Sequence, residues 1–141
     1  MKLKLNRVDL WTATVEDRAG GLAEKLEPLA QAGANFEFVF ARRTPEQPGK
    51  GIVFVFPVKG AKAAKAARDA GLGKSEEVHS VRVEGQDRPA VTARIARALA
   101  DAGLSFRALS ASALGRNFVA YLALDNAADA SKALSVLKKL A

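Results

Sequence analysis

The chain has 141 residues, of which 49% are hydrophobic and 26% charged, a composition typical of a globular domain and not of a disordered segment. It has no cysteine, which excludes a disulfide framework, a thiolate metal site and a cysteine nucleophile. Lysine and arginine total 22 against 15 aspartates and glutamates, so the net charge of +7 permits an anionic partner such as nucleic acid without requiring one.

The sequence offers no signal for a membrane location. Its first residues lack the apolar run of a signal peptide, and no segment approaches the apolar length that crosses a bilayer. We therefore expect a cytoplasmic protein without a membrane partner.

The first half of the chain predicts the order β-α-β-β-α. A β-branched and aromatic run indicates a strand at residues 8–15. Apolar residues at helical spacing follow and stop at Gly33. Two apolar runs, 36–41 and 52–58, flank a loop rich in proline and glycine and predict a hairpin, and an alanine-rich helix is expected at 61–70.

The second half predicts the same order after a long extended stretch at residues 76–84. Helical periodicity marks residues 89–102, and strand-like runs mark 106–112 and 118–124. A final helix is predicted at 127–140. Each half therefore has the order of strands and helices of one supersecondary unit.

An internal repeat underlies this symmetry. Asp17 and Asp87 begin two similar stretches that lie 70 residues apart, and eight of twenty aligned positions are identical. The identical pairs fall at turn, core and helix-end positions, which makes a chance match a poor explanation. The other seven pairs are Arg18 and Arg88, Ala23 and Ala93, Leu29 and Leu99, Ala30 and Ala100, Ala32 and Ala102, Gly33 and Gly103, and Phe36 and Phe106.

We predict an α+β fold of two ferredoxin-like βαββαβ units, with antiparallel sheets and helices on one face. The first repeat is assigned to residues 1–76 and the second to 77–141. The extended stretch supplies a fourth strand after the first unit, whereas the second unit is one strand short. Residues 2–5 lie where that strand is needed, so we expect them to complete the second sheet and the extended strands to be shared between the units.

The stretch DRAGGLA at residues 17–23, followed by a helix that ends in AGANF at residues 32–36, resembles the signature of the ACT domain, a small amino-acid-binding regulatory module. The resemblance spans nearly the whole chain as a tandem pair with no catalytic domain attached. It implies βαββαβ units packed side by side, with small ligands, often amino acids, bound at the interface between units.

The resemblance also implies a ligand site in the first repeat. Gly20 matches the glycine that lets a ligand approach the helix start, and Asn35 matches a polar residue at the start of the second strand. The second repeat has Ala90 and Ser105 at these places, so we predict one pocket, in the first repeat. The predicted ligand-binding residues are Asp17, Gly20, Gly21, Leu22, Asn35 and Phe36.

Structural explanations exist for the same residues. Asp17 and Asp87 fit helix N-caps, and the glycine pair fits a tight turn. Asn35 could end the helix in a left-handed conformation, and Phe36 could belong to the core. Apolar character on both faces of the hairpin strands indicates a covered face or edge, which favours association within the chain or in a homodimer.

Catalysis finds no support in the sequence, and we predict no cofactor and no metal. His79 is the only histidine, and the glycines lack the spacing of a phosphate or dinucleotide loop. Together with this absence of catalytic motifs, the resemblance implies a non-catalytic regulator that forms a homodimer and acts on an enzyme in trans.

Two alternatives remain open. Residues 50–56, KGIVFVF, resemble an RNA-recognition motif on the matching third strand, with Ile52 and Pro57 in place of two aromatic residues. Loss of two stacking rings makes RNA binding the weaker hypothesis. The other alternative is an interaction module that binds no ligand.

Overall fold

The computed structural model describes residues 2–140, whose eight strands form two four-stranded antiparallel sheets. No helix among these residues has the length and apolar content needed to cross a membrane. In chain order the elements are β1 (Leu3–Val8), β2 (Trp11–Glu16), α1 (Gly21–Gln31), β3 (Phe38–Arg43), β4 (Lys50–Phe56), α2 (Gly60–Asp69), β5 (Gly73–Lys74), β6 (His79–Gln86), α3 (Val91–Asp101), β7 (Ala108–Leu114), β8 (Asn117–Leu124) and α4 (Ala127–Leu140).

The chain divides into two compact units, whose limits differ from those of the sequence repeats. Asp9–Ser75 forms one unit, and the residues up to Val8 join those from Glu76 onward in the other. The difference arises because β1 pairs along its whole length with β6 and so belongs to the sheet of the second repeat. The extended N-terminal segment thus contributes one strand to each sheet, β1 to one and β2 to the other.

The unit Asp9–Ser75 has its strands in the spatial order β3-β4-β2-β5, which is the order of a ferredoxin-like βαββαβ fold. Alternate residues of the central strands point to the helices, as the pleat requires, so Val53 and Val55 are fully buried. Leu29 of α1 packs into the same core with Trp11. Pro28 lies inside α1, where it removes one backbone donor from the helix.

The other unit has the strand order β1-β6-β8-β7. The N-terminal strand thus occupies the place of the fourth strand, antiparallel to β6, with Leu5 opposite Val83. The core is a single cluster in which Ile95 and Leu99 of α3 meet Leu137 of α4, all three fully buried. Leu5 packs on the edge of this core. The predicted α+β fold with two ferredoxin-like units is therefore confirmed.

The strand predicted at residues 8–15 corresponds to β2 but starts too early, because Val8 belongs to β1. β1 ends at Val8 and β2 begins at Trp11, and these strands belong to different sheets. The side chains of Val8 and Leu10 are buried on both sides of the break, so hydrophobicity alone does not reveal it.

Candidate functional site

The turn between β2 and α1 holds the glycine pair predicted to meet a ligand. Gly20 precedes the helix with a φ of +86°, a conformation that favours glycine. A Cβ added at Gly20 would lie 3.7 Å from Arg18 Nη1. Gly21 is buried, and a Cβ there would collide with the main-chain carbonyl oxygen of Glu16. Gly20 is thus required by backbone conformation, and Gly21 by packing against the strand.

The charged side chains at this turn form ion pairs with neighbouring residues. Asp17 Oδ2 accepts a hydrogen bond of 2.8 Å from Arg43 Nε of β3, and Arg18 Nη2 donates to the Glu24 carboxylate at 2.7 Å. The Lys50 ammonium hydrogen-bonds Glu16 and lowers the pKa of that carboxyl group. The Asp17 carboxylate therefore already has a cationic partner.

The last two predicted ligand-binding residues lie at the other end of α1. Asn35 and Phe36 follow the helix, whose 11 residues span about 16 Å, so this unit does not bring them together with Gly20. Asn35 is exposed, and Phe36 packs against the hydrophobic core. Leu22, in the first turn of the helix, is half-buried against the same core.

Neither aspartate of the repeated turn caps a helix. The residues before α1 and α3 are Gly20 and Ala90, both left-handed, and neither helix start has a side-chain cap. The interpretation of Asp17 and Asp87 as N-caps is therefore wrong, because each lies three residues before the capping position.

An open cleft of about 290 Å³ lies at the equivalent turn of the second repeat. Its lining comes from the turn after β6, the first residues of α3, the outer half of β7 and the start of β8. The lining residues are Asp87, Arg88, Ala90, Val91, Thr92, Ala93, Ala111, Ser112, Ala113 and Phe118.

A single difference between the repeats explains why Asp87 faces open space. Arg43, which pairs with Asp17, corresponds at the 70-residue offset to Ala113. The short alanine side chain cannot reach the turn, and the Asp87 carboxylate has no hydrogen bond or ion pair among residues 2–140. Phe118, opposite Ala113 on β8, forms an apolar floor where the first repeat has Gly51.

The cleft presents groups of both signs. The Asp87 carboxylate carries a negative charge, whereas the backbone N–H groups of Thr92 and Ala93, in the first turn of α3, donate to no acceptor in the described part of the chain. The N-terminal end of a helix attracts anions through these groups and the helix dipole. The Arg88 guanidinium adds a cation that hydrogen-bonds Gln86.

The alignment of the two repeats contains a difference at this turn that the family signature does not include. The signature favours glycine at the helix start and therefore the first repeat. Extending the 70-residue alignment into β7 pairs Arg43 with Ala113, so the arginine that pairs with Asp17 has no counterpart at Asp87.

Ala90 adopts a φ of +67° that costs a non-glycine residue about 1 kcal/mol. We expect Ala90→Gly to raise the free energy of unfolding by about 1 kcal/mol, since glycine removes the steric strain. Gly20→Ala, at the equivalent position, should lower it by a similar amount. Urea unfolding measures the free energy of unfolding of both variants. A change of the same sign in both would contradict the explanation by steric strain.

The stretch that resembles an RNA-recognition motif forms β4. Val53 and Val55 face the helices and are buried, while Phe54 lies half-buried on the opposite face of the sheet. Within residues 2–140, no cluster of three His, Asp or Glu side chains has the arrangement of a metal site.

Comparison with known proteins gives similarity at the level of structure. No protein-family model and no curated protein matches the sequence. A protein from Bacteroides thetaiotaomicron superposes with a TM-score of 0.79 at 20% identity, over 96% of this chain and 89% of its own. The ligand-free regulatory subunit of aspartate kinase from Thermus thermophilus gives a TM-score of 0.63 at 17% identity, over 97% and 95% of the two chains.

A longer chain contains a similar region. Aspartate kinase from Clostridium acetobutylicum, described as an allosteric enzyme, gives a TM-score of 0.59 at 14% identity over 96% of this chain and 33% of the kinase. At these identities the similarity establishes the fold. The chain has the fold of a tandem ACT protein, with two ferredoxin-like units of the kind found in aspartate kinase regulatory subunits.

Proposed function

We propose that this chain is a non-catalytic regulatory protein that binds an amino acid at the turn before the first helix of a βαββαβ unit. It acts as a homodimer and passes the signal to an enzyme carried on another chain. The observation that carries the proposal is the second-repeat cleft, where an unpaired carboxylate lies beside an uncapped helix start.

The chemistry of the cleft suits a zwitterion. The α-ammonium group of an amino acid would pair with Asp87, and its α-carboxylate would accept hydrogen bonds from the amides of Thr92 and Ala93. A volume of about 290 Å³ suits a small molecule. Phe118 and Ala111 provide apolar surface for a side chain.

The fold supports a regulatory role. Two of the similar structures are a regulatory subunit of aspartate kinase and an aspartate kinase described as allosteric. In the latter the matched region is one third of a longer chain. A separate chain with the same fold could serve an enzyme in trans, and binding that favours one conformation would supply the signal.

The first-repeat turn remains the other candidate location for the ligand. Gly20 lies beside the start of α1 and has no side chain, and the side chains of Asn35 and Asp17 are at least partly exposed. A ligand there must compete with Arg43 for the Asp17 carboxylate, which makes the Asp87 cleft the more favourable of the two places.

Calorimetric titration with each standard amino acid tests the proposal, with Asp87→Asn and Asp17→Asn as matched variants. We expect one amino acid to bind and Asp87→Asn to weaken its affinity by roughly tenfold or more, since charged hydrogen bonds contribute about 1.5–3 kcal/mol. Asp17→Asn should leave the affinity unchanged.

If Asp17→Asn and Gly20→Leu instead abolished binding and Asp87→Asn left the affinity unchanged, the ligand would bind at the turn of the first repeat. Absence of binding to every amino acid would contradict the proposed function. In that case a salt-dependent affinity for single-stranded RNA, reduced by Phe54→Ala, would favour the nucleic-acid alternative.

A further inference from the structure

The turn before α3 retains none of the three ion pairs that the equivalent turn of the first repeat contains. In the first repeat these pairs join Arg18 to Glu24, Arg43 to Asp17, and Lys50 to Glu16. Their charges cancel. The residues at the corresponding places of the second repeat are, in the same order, Arg88 and Arg94, Ala113 and Asp87, and Asn117 and Gln86. Two cations and one anion are left, so this turn is positively charged.

Two arginines, Arg88 and Arg94, occupy places that hold an ion pair in the first repeat. There Arg18 Nη2 lies 2.7 Å from the Glu24 carboxylate, so side chains at these two places can touch. Both arginines are exposed, and the Arg94 side chain has no hydrogen bond or ion pair within residues 2–140. The Arg88 side chain donates to the neutral Gln86. Like charges this close repel each other, and an anion bound between them would remove the repulsion.

A third arginine begins at the same turn. The Asp87 N–H donates to the main-chain carbonyl of Arg116 at 2.8 Å, and the equivalent acceptor in the first repeat is Gly49. Arg116 is exposed, and its side chain has no ion pair in the part of the chain that the structure describes. Long side chains on a helix lean towards its N-terminus, so Arg94 extends towards this turn. Against these three cations, residues 86–94 have a single acidic residue, Asp87.

We propose that the amino acid bound in the Asp87 cleft has an acidic side chain, so that the ligand is aspartate or glutamate. This inference rests on the proposed function, which assigns the α-ammonium group to Asp87 and the α-carboxylate to the start of α3. The side-chain carboxylate then pairs with Arg88, which lines the cleft, and Arg94 supplies a second guanidinium group. The bound carboxylate takes the place that Glu24 occupies in the first repeat.

The balance of charge favours this class of amino acid over the other classes. An acidic amino acid has a net negative charge at neutral pH, opposite to that of the turn. A lysine or arginine ligand would bring a further cation close to the three arginines, which is unfavourable. An amino acid with an uncharged side chain would satisfy Asp87 and the helix start but would leave the repulsion between Arg88 and Arg94 in place.

Calorimetric titration with two matched pairs of ligands tests the inference. Aspartate is compared with asparagine, and glutamate with glutamine, because the members of each pair differ in charge and hardly in size. We expect an acidic member to bind about tenfold more tightly than its amide, the low end of the range for charged hydrogen bonds, since the arginines are exposed. The preference should decrease as the ionic strength rises.

Two charge-reversing variants locate the source of the preference. Arg94→Glu restores the charges of the first repeat, so the introduced carboxylate should pair with Arg88 and remove the preference for the acidic ligand. Arg107→Glu is the matched control, because it changes the net charge equally but lies beyond the other end of α3, whose 11 residues span about 16 Å. At physiological salt that distance is about two Debye lengths, so the affinity should change less than about twofold.

The possible failures of this inference and of the proposed function differ in their results. If asparagine, glutamine or another uncharged amino acid bound at least as tightly as the acidic ones, the inference would be wrong and the proposed function would stand. Absence of binding by every amino acid would overturn both. A preference that persisted in Arg94→Glu, or that Arg107→Glu removed to the same extent, would exclude the arginines of this turn as its cause. Circular dichroism checks that both variants fold.

Discussion

Gly21→Ala is expected to lower the free energy of unfolding by about 3 kcal/mol, which is large for the addition of one methyl group. A Cβ at this position would overlap the main-chain carbonyl oxygen of Glu16. A main-chain carbonyl oxygen held in a strand cannot rotate away as the end of a flexible side chain can. The start of α1 must therefore move away from β2, which disturbs the packing of Leu22 and Leu26 on the core.

Trp11 provides the measurement, since it is the only tryptophan and lies in the same core. Its fluorescence during urea unfolding reports the stability of the unit Asp9–Ser75. Gly33→Ala is the matched control, because Gly33 has a φ of +88° but nothing within 4 Å of its Cβ position. That control should cost only about 1 kcal/mol. A loss in Gly21→Ala no larger than that in Gly33→Ala would contradict the collision with the Glu16 carbonyl oxygen, because Gly21 does not have a positive φ.

The sequence predicts helices better than strand limits in this protein. The predicted helix at residues 127–140 coincides with α4, because its apolar residues recur at helical spacing over the whole length. α3 begins at Val91 and not at residue 89, since Ala90 adopts a left-handed conformation that local pattern does not predict. β3 begins at Phe38, two residues later than predicted, because Phe36 packs on the core before the strand begins.

The same contrast holds for the candidate site. The internal repeat identifies both Asp-Arg turns, because identical residues at a constant offset are a property of sequence alone. Whether an aspartate is paired depends on the strand that lies beside its turn. Arg43 reaches Asp17 only through the register of β3 on β4, a non-local pairing that a single sequence does not specify. The cleft at Asp87 is therefore a result of tertiary structure.

Comparison of the two turns shows how their functions could diverge. The first repeat has an unstrained glycine at the helix start and a paired aspartate. The second has a strained alanine and an aspartate that faces open space. Strain that persists beside a cleft is common at functional sites. The second repeat thus departs from the family signature while keeping the groups that could bind a ligand.

Leu99→Ala is expected to lower the free energy of unfolding by about 3 kcal/mol. Leu99 is fully buried in the core of the unit that contains α3, so its truncation loses the transfer free energy of the removed atoms and leaves a cavity. Leu29 is the equivalent residue of the first repeat and is equally buried, in the other core. Leu29→Ala should therefore have a similar cost.

Hydrogen exchange distinguishes the two variants, because each leucine belongs to a different cluster. Leu99→Ala should reduce the protection of amides in β6 and β8 most, whereas Leu29→Ala should affect β2 and β4. Leu114→Ala is the control for the same chemical change at an exposed position and should alter stability by no more than about 0.5 kcal/mol. If Leu99→Ala and Leu29→Ala instead lowered protection equally in all four strands, the two cores would unfold as one cooperative unit, and the division of the chain at Val8 and Glu76 would have no counterpart in its stability.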